Sequence, residues 1–123
     1  MIGVEFPQMR DEVISALQSL ACADHQRLRW GVLEAGVNYF ENLTLVVNTL
    51  YDDTAVLPDP SRSVGTIIYE AEVVALEAVA ARLSPMIDDL GNAPDNVYTA
   101  DVRWPSVVDT AGAALAAMGA SGL

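Results

Sequence analysis

Residues 64–91, VGTIIYEAEVVALEAVAARLSPMIDDLG, decide the fold class. Val64, Ile67, Ile68, Ala71, Val74, Ala75, Ala78, Val79, Leu83, Met86, Ile87 and Leu90 recur at three- and four-residue steps. That spacing lines apolar side chains along one face of an α-helix. Glu70, Glu72, Glu77, Arg82, Asp88 and Asp89 fall mostly away from the stripe. The pattern predicts a long helix from Val64 to Leu90 that forms the spine of the core. Proline has no N–H to donate and crowds the preceding turn, so a kink or restart is expected at Ser84-Pro85. Gly91 is the natural stop.

Working back from this helix, the stretch Asn38–Gly65, NYFENLTLVVNTLYDDTAVLPDPSRSVG, needs more care. LTLVV is rich in β-branched residues and could pass for a strand. Phe40, Leu43, Val47, Leu50 and Tyr51, however, keep helical steps, so a helix is expected over residues 40–51. It ends in Asp52-Asp53, where two carboxylates meet the partial negative charge of a helix C-terminus. Two prolines exclude regular helix from Ala55 to Ser63, and Ser61 or Ser63 is expected to cap the next helix.

Toward the N-terminus, Met9, Val13, Ile14, Leu17, Leu20 and Ala21 mark a first helix from Pro7 to about Ala21. A second is expected from Asp24, as N-cap, to Glu34, with a turn at Gly36-Val37-Asn38. Downstream, residues 92–103 read as a polar loop. Trp104-Pro105 then opens a last helix with Val107, Val108, Ala111, Leu115 and Met118 on its apolar face. Five helices joined by short loops give an all-α fold: a compact single-domain bundle over residues 1–123 with a long central helix.

Hydrophobic residues make up 52% of the 123 and charged ones 19%, a balance that supports a folded core. Acidic residues outnumber basic ones 17 to six for a net charge of -11, and every basic residue is Arg. Nucleic acid and anionic membrane surfaces recruit proteins through basic patches, so both are poor partners for this chain. A protein with a basic surface is the complementary one. One cysteine, Cys22, cannot close an intramolecular disulfide and suits a reducing compartment. The first residues carry no signal-peptide pattern, and no apolar run approaches the roughly 20 residues of a membrane span. A cytoplasmic location is the expectation.

Groups that could carry chemistry are few. Cys22 and His25 form a C-x-x-H pair, two ligands where a structural zinc site takes four. DDTAVLPDPSRS lacks the alternating ligands, central Gly and distal Glu of a calcium loop, and Val64-Gly65-Thr66 lacks the Gly and Lys spacing of a phosphate loop. No catalytic residue, cofactor or metal is assigned from the sequence.

Trp30, LYDDT at 50–54, VLPDP at 56–60, VGTI at 64–67 and WPSVV at 104–108 resemble, in order and spacing, a family of small uncharacterised actinobacterial helical proteins. The resemblance spans roughly Arg10 to Met118 and implies no established activity. In size, acidity and poverty of catalytic groups the chain also resembles, more loosely, immunity proteins that neutralise a toxin. The leading expectation is therefore a non-enzymatic protein-binding module, of the immunity type against a basic toxin. Its contact residues would be Tyr51, Asp52, Asp53, Asp59 and Arg62 in one loop and Tyr98, Asp101 and Trp104 in the other. One alternative is an enzyme or metal-assisted site on Asp52, Asp53 and Asp59, with Arg62 and with Tyr51 as proton donor. Another is a self-associating structural protein, a homodimer built on the Ala-rich last helix with Leu115 at its face.

Overall fold

The computed structural model describes residues 3–31 and 41–123, and every regular element among them is helical. In chain order these are α1 (Pro7–Leu20), α2 (Ala23–Arg29), α3 (Leu43–Val47), α4 (Val73–Leu90), α5 (Asp95–Ala100) and α6 (Trp104–Ala117). A π-helical turn, Asn48–Asp53, continues α3, and 3-10 turns occupy Pro60–Ser63 and Glu70–Glu72. The all-α bundle with its long central helix is thus present.

LTLVV is helical. Asn42 Oδ1 accepts the Leu45 N–H at 2.8 Å and starts the turn, and Leu43, Val46 and Leu50 reach the core at helical steps. The cap of α2 is Cys22, whose Sγ accepts the His25 N–H at 3.4 Å. Asp24, expected in that role, lies in the first turn of α2 and pairs with Arg27 at 2.9 Å. α2 stops at Arg29, where Trp30 turns extended, short of the expected end at Glu34, and Phe40 and the Gly36-Val37-Asn38 turn lie outside the described residues.

The long helix begins later than its sequence pattern. Residues 64–69 form a tight turn in which Ser63 O accepts the N–H groups of Thr66, Ile67 and Ile68. Gly65 sits there at φ +87, a conformation that costs glycine little. The incoming chain pairs with this turn through Glu5 N–H to Gly65 O at 3.0 Å and Phe6 N–H to Thr66 O at 2.7 Å. Helical geometry starts only at Glu70, and its phase is therefore set independently of Val64–Ile68. Leu76, Val79, Ala80, Leu83 and Met86 form the buried face, whereas Val74, counted on the stripe by sequence, is 77% exposed. Pro85 is carried inside an unbroken α4 on its exposed side. Gly91, at φ +54, ends the helix with its N–H on Ile87 O at 2.8 Å. Residues 92–103 are not all loop, because they contain α5.

α6 packs against both α1 and α4, and Leu17, Leu20, Leu50, Ile68, Leu76, Leu83 and Met86 are fully buried in the same core. Leu115 is 2% exposed and belongs to this core, so it is not part of a surface face of α6. Gln26 fastens α2 in place: its Nε2 donates to Ser19 O at 3.1 Å and Leu20 O at 2.9 Å, and its Oε1 accepts from Trp104 Nε1 at 3.0 Å. Trp104 lies edge-on to both Trp30 and Tyr98, an arrangement favoured by the charge distribution of aromatic rings. No described helix is long and apolar enough to cross a membrane.

Candidate functional site

Successive turns of α1 place Asp11, Glu12, Ser15, Ala16, Gln18 and Ser19 toward one side of the helix. α3 and its π-helical continuation run past that side and contribute Leu45, Val46, Thr49 and Asp53. His25 of α2, Glu41 and Leu123 complete a groove of about 710 Å³. Among the described lining residues four carry side-chain carboxylates, Asp11, Glu12, Glu41 and Asp53, and none is Arg. His25 is the one lining side chain that can turn positive. Leu45, 43% exposed, gives the groove apolar wall area of the kind that accepts the methylene stem of a Lys or Arg, and the core residues Ala16 and Val46 lie behind it.

Glu41 is the fixed point of this groove. Its Oε2 accepts from Ser19 Oγ and lies 2.8 Å from His25 Nε2, while its backbone O accepts the Gly31 N–H at 2.7 Å. Ser19 Oγ in turn accepts from Trp30 Nε1 at 2.8 Å. Partial burial pushes the Glu41 carboxyl upward, but hydrogen bonds from Ser19 and His25 outweigh it and hold the group below its usual range. Ser, His and Glu here do not form a nucleophile relay. In such a relay the imidazole stands between hydroxyl and acid, whereas in this cluster the carboxylate takes both partners and Ser19 is 4% exposed. The arrangement positions a charge rather than activating a hydroxyl.

Of the residues singled out in the sequence, Asp53 lies in the groove. Asp52 and Arg62 are exposed, and Asp59 accepts from Ser61 Oγ at 2.6 Å. Tyr51 is half-buried with its hydroxyl 2.8 Å from Ser84 Oγ; burial, aided by the nearby Asp88 charge, raises its pKa, which opposes a proton-donor role. Tyr98 and Trp104 are 3% and 4% exposed. Tyr98 donates to Gly91 O at 2.6 Å and Trp104 to Gln26, so both are core residues and not surface contacts. Asp101 is gripped by Arg103, whose Nε and Nη2 donate to its two oxygens at 2.9 and 3.0 Å. Those bonds, with the Arg103 N–H, draw the Asp101 pKa down to about 2. Arg103 also donates to Asp89 at 2.7 Å and fastens the second loop to the end of α4.

No hydrogen bond or ion pair among the described residues joins the 51–63 loop to the 95–104 segment. Nor do three His, Cys, Asp or Glu side chains among them converge as metal ligands would. Glu41, Asp11, Glu12 and His25 are the site residues that sequence reading missed. Asp11 and Glu12 did carry a signal, since with Ser15 and Gln18 they make up the polar side of an otherwise apolar helix. Glu41 carried none, and His25 was weighed only as the partner of Cys22, because His25 and Glu41 meet only after the chain returns to α1.

The family model described as Domain of unknown function (DUF7945) matches residues 4–122. The expected likeness to a family of uncharacterised proteins is found in that match. No curated protein and no solved structure matches the chain.

Proposed function

We propose that this chain, which belongs to the DUF7945 family, is a non-enzymatic binding module whose acidic groove takes a basic segment of a partner protein. The observation that carries this reading is the groove lining: four carboxylates over apolar wall area, with no Arg among them. A Lys- or Arg-bearing segment would lay its methylene stems along Leu45 and its charges toward Asp11, Glu12 and Asp53. The net charge of -11 would add long-range attraction and speed the encounter. This moves the contact surface from the two loops to the groove and keeps Asp53 as the residue common to both. An immunity-type role, in which the partner is a basic toxin, is the finer form of the same reading and rests on acidity and on the looser resemblance.

The test uses an octa-arginine peptide and the intact chain at low salt, with binding followed by fluorescence anisotropy. Glu12→Gln with Asp53→Asn should weaken binding by about tenfold. Glu77→Gln with Asp109→Asn, which removes the same charge from exposed positions outside the groove, should have a much smaller effect. Equal losses from the two pairs would mean diffuse attraction to an acidic surface, and the groove would lose its role.

A further inference from the structure

His25 is the only histidine in the chain, and it stands on the wall of the groove against the carboxylate that the groove holds most firmly. Its Nε2 is 2.8 Å from Glu41 Oε2, and the two side chains are 20% and 31% exposed. The pair is therefore within reach of solvent and of anything bound in the groove. Glu41 cannot swing away freely, since Ser19 Oγ also holds Oε2, and Ser19 is itself held by Trp30 Nε1. Other charged or titratable groups line the groove with His25 or belong to its own helix and cap. They are Asp11 and Glu12 of α1, Asp53 of the π-helical turn, the Cys22 thiol that accepts the His25 N–H, and Asp24, Arg27 and Arg29 on its own helix. Asp24 and Arg27 are paired with each other and largely exposed.

We propose that His25 is a proton switch for the groove: with the imidazole neutral, the Glu41 charge is offered to a bound cation, and with it protonated, His25 claims Glu41 and the basic segment is released. This rests on the reading of the groove as a site for a basic segment. Protonation offsets one of the four side-chain carboxylate charges that the described lining residues carry, Asp11, Glu12, Glu41 and Asp53. It also places the new positive charge next to where a guanidinium would approach. Histidine changes charge between about pH 5 and 8, while Arg stays charged throughout, so the pH response originates in the protein and not in the ligand. Linkage requires reciprocity: a bound cation makes His25 harder to protonate by the same factor by which protonation weakens binding.

Octa-arginine again serves as probe, at low salt, with two readouts. The first is its affinity at about pH 8 and about pH 5.5, which should fall about fivefold on acidification for the native chain. In His25→Gln, which keeps a donor near Glu41 but does not titrate, the fall should be less than twofold. The second is the imidazole NMR resonance of the native chain, unambiguous with one histidine; its titration midpoint should move to lower pH when octa-arginine is saturating. The same pH dependence in His25→Gln, or a midpoint unmoved by the peptide, would overturn the switch and leave the groove standing. If octa-arginine does not bind at about pH 8, the groove reading fails and the switch fails with it.

Discussion

The Arg10 guanidinium donates to both oxygens of Glu72, at 2.7 and 2.6 Å, and to the backbone oxygens of Ile67 at 3.3 Å and Met118 at 3.4 Å. It also lies over the Tyr69 ring, 4.8 Å from the centroid. One side chain thereby ties α1 to the turn before α4 and to the end of α6. The planar five-donor fork of Arg suits this geometry in a way a Lys ammonium does not. Arg10 and Glu72 keep only 14% and 5% of their side-chain surface in water. In such a pair the attraction largely offsets the desolvation of both ions, so removing one partner is far worse than removing both. Arg10→Met should cost about 3–5 kcal/mol in urea unfolding, because Glu72 is left buried without its counter-charge. The double change Arg10→Met with Glu72→Leu should recover most of that loss. A double variant as unstable as the single one would mean that the bonds to Ile67 and Met118, and not the ion pair, hold the three elements together.

At the scale of elements, legibility followed length and continuity. α1 and α6 were readable nearly to the residue because each opens with a proline in its first turn and runs for 14 residues of amphipathic sequence. α4 was readable as a helix and its face only in part: Val79, Leu83 and Met86 were on the stripe and are buried. The apolar residues of the 64–69 turn suit a stripe by spacing alone, and carrying their phase forward put Val74 in the core and passed over Leu76. α5, with six residues, is too short to show a period. The π-helical turn leaves no mark in composition; it is defined by bonds such as Thr54 N–H to Thr49 O at 3.0 Å. Tyr98 and Trp104 were misplaced because large aromatic side chains serve cores and interfaces equally well. Leu115 was read on the apolar face of the last helix, where it is buried, and only the self-association alternative moved it to the surface. On that alternative, Leu115→Glu would separate a dimer and leave folded monomers; here it drives a carboxylate into the apolar core. The expected outcome is loss of the cooperative melt in circular dichroism, while Ala116→Glu on the exposed side of α6 should stay within about 0.5 kcal/mol of the parent. A folded, monomeric Leu115→Glu protein from a dimeric parent would reverse this assignment.

For the whole molecule, two electrostatic effects oppose each other as pH falls. The net charge of -11 repels itself, and protonating carboxylates relieves that repulsion. Against this, Glu72, Glu41 and Asp101 are all held below the usual carboxylate range. For Glu72, burial pushes upward and the bonds from Arg10 and the Tyr69 N–H more than reverse it. A carboxylate depressed in the folded state stabilises it fully above the unfolded pKa, about 4.3 for Glu and 3.9 for Asp, and loses that contribution as pH falls through the folded value. At the other end, burial raises the pKa of Tyr51 and Tyr98, so their contribution is complete below about pH 10 and is lost as pH rises beyond it. The repulsion is spread over the surface, and at 0.15 M ionic strength it is screened beyond about 8 Å. The Glu72 bonds are local and shielded from solvent, so they should decide the acid side. Melting temperature at that ionic strength should therefore hold level between about pH 5 and 9 and drop on both flanks, starting near pH 4.5 in acid. At very low salt the repulsion reaches further, and the acid drop should become shallower. A melting temperature that climbed steadily from pH 5 to pH 3 at 0.15 M would mean that self-repulsion, and not the loss of the Arg10 and Glu72 pair, dominates the stability of this bundle.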